Sequence, residues 1–293
     1  MAPRAMVLCA GLGTRLRPLT LEKPKPLVPV GDRPLLAHIA ARLARAGFDQ
    51  LVINTHHLPD AFANLDASLG VEVQRVHEPR ILGTAGGVAG ARELLGEPPV
   101  VLWNGDILVE PPLEALCEGA RSGGLALGVQ PRAKGEGTVG VRADGRVVRL
   151  RGEVFGEEHA GGDYVGVAAL GARCLAGLPS EGCLIGDWAL PELRAGRPIE
   201  TVAVPGGFSD AGDPAAYLAL NLAWLGGEPV YLGVGAAVDA GVSLETCVIG
   251  AGARVVGAGR VRRVVAWPGA VVQAPLEDAI VTPARVVRVA HSK

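Results

Sequence analysis

Lysine is the scarcest cation in this chain: four lysines stand against 24 arginines among 293 residues. Charge of one sign is lacking too, since 28 basic residues meet 30 acidic ones for a net charge of -2. No overall field draws the protein to nucleic acid or to an anionic membrane, so neither is an expected partner and any anion site must be local. Five cysteines (Cys9, Cys117, Cys174, Cys183 and Cys247) show no C-x-x-C spacing, which argues against a disulfide framework or a zinc site and suits a reducing, cytoplasmic setting. No apolar run reaches the roughly 20 residues that span a bilayer. The segment from Ala5 to Leu12 is followed by Arg15 and Arg17 with no A-x-A site, so it does not read as a secretion signal. What is abundant is apolar residues at 49%, with 42 glycines and 22 prolines. That composition excludes disorder, and the glycines lack the three-residue period of collagen. The length allows one large or two modest domains.

Residues 1–226 read as strands alternating with helices. Ala5 to Ala10 is a buried strand; Pro34 opens a helix with Leu35, Leu36, Ile39 and Leu43 on one face, closed at Gly47; Leu51-Val52-Ile53 is the next strand. Strands are expected at 71–76, 99–103 and 125–129, helices at 84–95 and 111–121, a hairpin over 139–150 turning at Asp144-Gly145, a strand over 164–170, and a last helix from Asp213-Pro214 to Leu225. The alternation implies an α/β, Rossmann-like mixed but mainly parallel sheet flanked by helices, with ligands beyond the carboxyl ends of its strands. Residues 227–293 change to a period of six. Leu232, Val238, Leu244, then after a one-residue slip Ile249, Val255, Val261 and Trp267, are each followed four positions on by a small or β-branched residue. This pattern reads as a second domain, a short left-handed parallel β-helix.

The first strand ends in Gly11-Leu12-Gly13-Thr14-Arg15, where glycines turn amides toward a bound phosphate. A dinucleotide fingerprint would need a third glycine where Leu16 stands, and a P-loop would need G-K-[ST]. What remains is G-x-G-T-R followed by Lys23-Pro24-Lys25-Pro26, a compact ammonium set between two prolines in an arginine-rich chain. Here the sequence resembles the sugar-1-phosphate nucleotidylyltransferases, closest to the mannose-1-phosphate guanylyltransferase-like branch, whose signature joins these two halves at this spacing.

The resemblance implies the nucleotide-diphospho-sugar transferase fold and a catalytic set of Arg15, Lys25 and Asp106. Asp106 follows the strand 100–103 in Asn104-Gly105-Asp106, where a carboxylate can hold Mg²⁺ against a triphosphate. The family's second metal ligand matches Asp210 in Phe208-Ser209-Asp210-Ala211-Gly212-Asp213-Pro214, with Phe208 and Asp213 departing from the family's tryptophan and threonine; outside the family frame, D-x-G-D-P reads as a turn and helix cap. Ala10, Gly11, Gly13 and Thr14 would line the triphosphate. Glu78, Gly83 and Thr84, in Glu78-Pro79-Arg80-Ile81-Leu82-Gly83-Thr84-Ala85-Gly86-Gly87, would meet the base, with Glu78 accepting from guanine and Thr84 serving as pocket wall, helix cap or both. GTP is favoured over UTP. Asn104, Gly166 of Tyr164-Val165-Gly166-Val167, and Arg151 would face the sugar phosphate, where the family's E-K-P lysine is missing and Arg149 or Arg151 is left to replace it.

Adjacent strand residues point to opposite faces, so His56-His57 is a poor zinc site. Trp188 reads as a sugar-pocket wall or as core. The implied reaction sets Mg²⁺ between Asp106, Asp210 and the α-phosphate, and passes a nucleotidyl group to a sugar 1-phosphate. Two other classes stay in view: a non-catalytic nucleotide-sugar sensor, favoured by the missing lysine, and a hexapeptide acyltransferase, disfavoured because the repeats hold no histidine and His291 lies beyond them. The β-helix is read as a homo-oligomerisation or lid element.

Overall fold

Why the first strand is central follows from its sequence: an apolar run with no alternation suits a strand buried on both faces. In the computed structural model, which describes residues 4–63, 65 and 69–290, β1 (Arg4–Leu8) lies between β2 (Gln50–Thr55) and β4 (Val100–Asn104) and is parallel to both, while β3 (Glu72–His77) continues the sheet in parallel beyond β2. His291 lies outside the described residues. Ala5, Met6 and Val7 have no exposed surface.

The chain packs as two units, one of residues 1–11 and 37–208, the other of residues 12–36 and 209–293. The first unit holds a ten-stranded sheet. Its remaining strands are β5 (Leu125–Arg132), β6 (Val139–Val141), β7 (Val147–Leu150), β8 (Glu153–Val154), β9 (Ala160–Leu170) and β10 (Glu200–Ala203). The spatial order is β8-β7-β6-β9-β4-β1-β2-β3, with β5 on β9 and β10 beside β5. The sheet is mixed: the four strands β4-β1-β2-β3 are parallel, and β9 runs antiparallel to β4, β5 and β6. Parallel strands bring their carboxyl ends to one edge, and that edge carries the chemistry-bearing loops.

Helices form where apolar spacing asks for them. Helix α1 (Leu35–Arg45) buries Leu35, Leu36, Ile39 and Leu43 and ends before Gly47, whose φ of 85° lies in the left-handed region that stops a helix. Over 84–95 the single expected helix is instead two, α2 (Gly83–Gly90) and α3 (Arg92–Leu95), because four glycines weaken α2 and Ala91 leaves helical geometry. Helix α4 (Leu113–Gly123) buries Leu113, Leu116, Cys117 and Ala120. The hairpin over 139–150 turns at Gly145, as its Asp-Gly pair predicts.

In the second unit, helix α5 (Pro214–Trp224) is capped by Asp213, whose carboxylate accepts from the amides of Ala215 and Ala216 at 2.9 Å each. Beyond it lies a seven-stranded sheet: β11 (Val230–Leu232), β12 (Ala237–Val238), β13 (Gly241–Glu245), β14 (Cys247–Ile249), β15 (Arg254–Ala266), β16 (Val271–Val281) and β17 (Val286–Arg288). Pairing is parallel except for β17. Partners lie 17 residues apart, as in Val230 with Cys247, Val238 with Val255 and Val255 with Val272. Beyond the irregularity in the β15–β16 pair the spacing is 15, as in Val261 with Leu276. Val255 and Val272 are buried, whereas Val271 is 55% exposed. Leu232 aligns with inward-facing Ile249 yet is 51% exposed, since β11 pairs only with β14.

Burial sets the expected cost of truncation. Leu102→Ala, in the centre of β4, should lower unfolding free energy by about 2–5 kcal/mol, whereas Leu232→Ala should stay within about 0.5 kcal/mol; urea melts followed by circular dichroism measure both.

Candidate active site

The carboxyl ends of β1, β2 and β3 are tied by one buried polar chain in the first unit. The amide of Cys9 donates to Asn54 Oδ1 at 2.7 Å, Asn54 Nδ2 donates to Glu78 Oε1 at 2.7 Å, and the Leu82 amide donates to Glu78 Oε2 at 3.0 Å. Glu78 is 2% exposed, with both oxygens engaged. The expected acceptor for guanine is therefore turned into the protein, where it fixes the Leu82-Gly83-Thr84 segment instead of meeting the base. Gly87 makes room for it, because a Cβ there would lie 2.7 Å from Asn54 Nδ2 and 2.9 Å from Glu78 Oε1. His56 joins the cluster through Nδ1, 2.8 Å from the Glu78 carbonyl.

The Gly83-Thr84 segment is also zipped to residues 182–184. Gly182 donates to the Leu82 carbonyl at 2.8 Å and accepts from the Ala85 amide at 2.9 Å, while Thr84 Oγ1 accepts from the Leu184 amide at 2.7 Å. Thr84 is thus a tether rather than a cap, and α2 begins with no side-chain cap. Gly83 has φ 78°, and a Cβ on it would meet the Gly182 carbonyl at 2.3 Å. Asp187 holds the far side, accepting from the Cys183 amide at 2.6 Å.

Asp106 sits partly exposed in the turn after β4. Gly105 donates to the Leu8 carbonyl at 3.0 Å, and the fully buried Trp103 indole closes the turn by donating to the Ile107 carbonyl at 3.0 Å. Cys9 lies beneath, its thiol pushed well up by burial and by the Asp106 charge, so it remains neutral. Gly166 has φ 71° and packs on Asn104, whose Nδ2 a Cβ would approach to 2.9 Å. Two arginines competed for the missing lysine's role. Arg149 is spent on Glu158, at 2.8 Å, and on the carbonyls of Glu136 and Gly137. Arg151 donates to the Cys183 sulfur at 3.3 Å, its one hydrogen-bond partner among the described residues. Trp188 is buried, under the Arg173 guanidinium, in a core position.

The second unit carries the cations. Gly13, at φ 58°, begins a 3-10 turn over Thr14–Leu16, and a Cβ on it would lie 2.7 Å from Thr20 Cγ2 and 3.3 Å from Lys25 Cβ. Pro24 is extended and Pro26 lies inside the 3-10 turn Lys25–Leu27, so the two prolines set the backbone on which Lys25 stands. Its side chain is only 9% exposed and its Nζ lies 3.3 Å from Asp210 Oδ1. Arg15, 73% exposed, lies 4.0 Å from Asp210 Oδ2. Gly11 has open space around it, and Ala10 is buried beside it.

Asn54, Trp103 and the 182–187 segment were not singled out by sequence reasoning, and Gly87 stood only as the last residue of the segment expected at the base. Asn54 and Gly87 left traces, a polar residue ending an apolar strand and a doubled glycine, while the other two left none.

A parallel-strand edge, a proline-bounded lysine paired with an aspartate and a glycine-rich turn define a phosphate-handling α/β protein. The chain belongs to the nucleotidyl transferase family, whose model matches residues 4–150. Its relatives place it on the mannose-1-phosphate guanylyltransferase-like branch. It is 38% identical over 121 residues to "Mannose-1-phosphate guanylyltransferase" of Mycobacterium tuberculosis, covering 40% of this chain and 34% of that one. With "Mannose-1-phosphate guanylyltransferase 1" of Arabidopsis thaliana it shares 31% over 232 residues, 73% of this chain and 63% of that one. A "Probable mannose-1-phosphate guanylyltransferase 1" of rice is 31% identical over 269 residues, 85% of this chain and 73% of that one. The match thus spans between about a third and just under two thirds of the first two relatives. In fold, the chain is similar to the crystal structure of HddC from Yersinia pseudotuberculosis complexed with GMP-PN, with TM-score 0.64, 20% identity, and coverage of 76% of this chain and 100% of that one. No helix among the described residues is long and apolar enough to cross a membrane.

The buried carboxylate yields a direct prediction. Glu78→Gln sets an amide N–H against either Asn54 Nδ2 or the Leu82 amide, so unfolding free energy should fall by about 1–3 kcal/mol, measured by denaturant titration.

Proposed function

We propose that this chain transfers a nucleotidyl group from a nucleoside triphosphate, GTP favoured, to a sugar 1-phosphate, mannose 1-phosphate or a related sugar. The observation that carries the reading is Lys25: a nearly buried ammonium on a proline-set turn, aligned on Asp210, in a chain with three other lysines. The preference for guanine and mannose is supported by the names of the relatives and by the Leu82-Gly83-Thr84-Ala85-Gly86 segment.

A phosphate oxygen of the sugar 1-phosphate attacks the α-phosphorus. The bond from that phosphorus to the oxygen bridging toward the β-phosphate breaks, and pyrophosphate leaves with the bond's electron pair. The attacking oxygen is already anionic, so no base is needed, and rate comes from alignment and charge neutralisation. Lys25 and Arg15 offset the triphosphate charge, and the amides of residues 11–14 seat it. Arg151 receives the sugar phosphate, and Asn104 and Gly166 shape the sugar site. With Glu78 withdrawn, the segment it holds, Gly83 and Thr84 included, presents backbone groups to the base.

Mg²⁺ takes one or two carboxylates plus phosphate oxygens and water rather than an all-protein cage. The donor chemistry fits: Asp106 is a partly exposed carboxylate, and no group of three or more His, Cys, Asp or Glu side chains gathers as a ligand set among the described residues. On this reading Asp106 and Asp210 are the carboxylates that would hold the ion. When bound, Mg²⁺ supplies positive charge to the phosphate oxygens.

The C-terminal sheet is read as a short left-handed β-helix, supported by parallel partners that lie 17 residues apart in the pairs from Val230 with Cys247 to Gly257 with Ala274, and as the element through which copies of the chain associate in the cytoplasm.

Lys25→Ala should lower turnover by roughly two to three orders of magnitude while circular dichroism and melting stay those of the parent. Pyrophosphate release from a grid of nucleoside triphosphates against sugar 1-phosphates, with Mg²⁺, reads both this and the choice between GTP and UTP. Release by the variant at the parent rate overturns the assignment.

A further inference from the structure

Thr282-Pro283-Ala284-Arg285 links β16 to β17 as a turn closed on itself. The Thr282 amide donates to the Arg285 carbonyl at 2.9 Å, and the Thr282 hydroxyl oxygen accepts from the amides of Ala284 and Arg285 at 3.2 and 3.1 Å. A rigid base therefore carries the Arg285 side chain. From it, Arg285 Nε donates to Glu22 Oε1 at 2.6 Å, and the Thr282 hydroxyl donates to the same oxygen at 2.8 Å. The Glu22 side chain is mostly buried, so its charge depends on these donors.

Glu22 ends the turn Leu19–Leu21, its amide donating to the Leu19 carbonyl at 3.0 Å, and it immediately precedes Lys23-Pro24-Lys25. The other end of the lysine segment is held by α5. The Gly31 amide donates to Asn221 Oδ1 at 2.9 Å, the Tyr217 hydroxyl donates to the Pro29 carbonyl, and that hydroxyl accepts from Trp267 Nε1 at 2.9 Å. The Trp224 ring occupies the place of any Cβ on Gly31. Residues 22–31 are thus clamped from both ends by residues 217–285 of the same unit.

We propose that Arg285 and Thr282, acting through Glu22, are positioning residues for Lys25, so that the last hairpin of the C-terminal sheet sets the lysine that meets the triphosphate. The inference rests on the nucleotidyl-transfer reading of Lys25 for its kinetic consequence, and on geometry alone for its structural one.

Arg285→Ala should lower kcat/KM for the nucleoside triphosphate about tenfold, the scale of one charge-assisted hydrogen bond, with KM for the sugar 1-phosphate unchanged and some loss of melting temperature as Glu22 loses a donor. Arg285→Lys should recover most of the loss, and Glu22→Arg combined with Arg285→Glu should outperform either single change. Hydrogen exchange of the substrate-free protein gives an independent readout: amides of residues 22–28 should exchange faster in Arg285→Ala than in the parent. Unchanged kinetics and unchanged exchange overturn the proposal, as does a loss shared equally by both substrates. If the parent releases no pyrophosphate from any substrate pair, the reaction assignment fails, and the exchange result alone decides whether Arg285 positions the lysine segment.

Discussion

A carboxylate buried at the end of three parallel strands constrains the whole substrate edge of the first unit. Desolvating Glu78 costs several kcal/mol unless its oxygens are bonded, and they are, by Asn54 Nδ2 and the Leu82 amide. Those two bonds join β2 to the loop after β3, while Asn54 Oδ1 takes the Cys9 amide and joins β2 to β1. Removing any member leaves a buried donor or acceptor unpaired, so the members stand or fall together. Gly87 and Gly83 are consequences: the first admits the carboxylate and the second admits the Gly182 carbonyl.

In the second unit the side chain of Lys25, only 9% exposed, stands 3.3 Å from Asp210. Asp210 in turn stands two residues before Gly212, where a Cβ would come 2.9 Å from its carboxylate, and three before Asp213, which caps α5. The D-x-G-D-P segment therefore serves both meanings its sequence suggests, helix cap and ionic partner, through two different aspartates. Arg15 is far more exposed and stands 4.0 Å from the same aspartate.

Much of this was legible in the residues. Buried strands announced themselves as unbroken apolar runs, α1 by the spacing of Leu35, Leu36, Ile39 and Leu43, and α5 by its Asp-Pro start. The two halves of the phosphate motif identified the family because both depend on backbone geometry that only glycine or proline provides. What stayed hidden depends on direction rather than composition. Whether Glu78 faces ligand or core turns on one residue at a strand end, where alternation no longer applies. The change of partner spacing from 17 to 15 along β15 and β16 has no counterpart in the six-residue count. No local pattern shows that residues 12–36 pack with residues 209–293, since Glu22 and Arg285 lie 263 positions apart.

The family's sugar-phosphate lysine is absent, and the geometry narrows what stands in for it. Arg149 is held by Glu158, whose carboxyl the guanidinium keeps below its ordinary range, and by two backbone carbonyls, so its donors are spent on β7 and its neighbours. Arg151 is differently placed. It occupies a left-handed conformation, φ 49°, between β7 and β8, and one nitrogen rests on the Cys183 sulfur. A thiol is a weak acceptor, so this contact orients the guanidinium without consuming it. A lysine there would offer a point charge; Arg151 offers a planar fork matched to two phosphate oxygens at once. On the proposed reaction, that fork aligns the attacking phosphate by geometry as well as by charge, which is what a reaction governed by alignment requires.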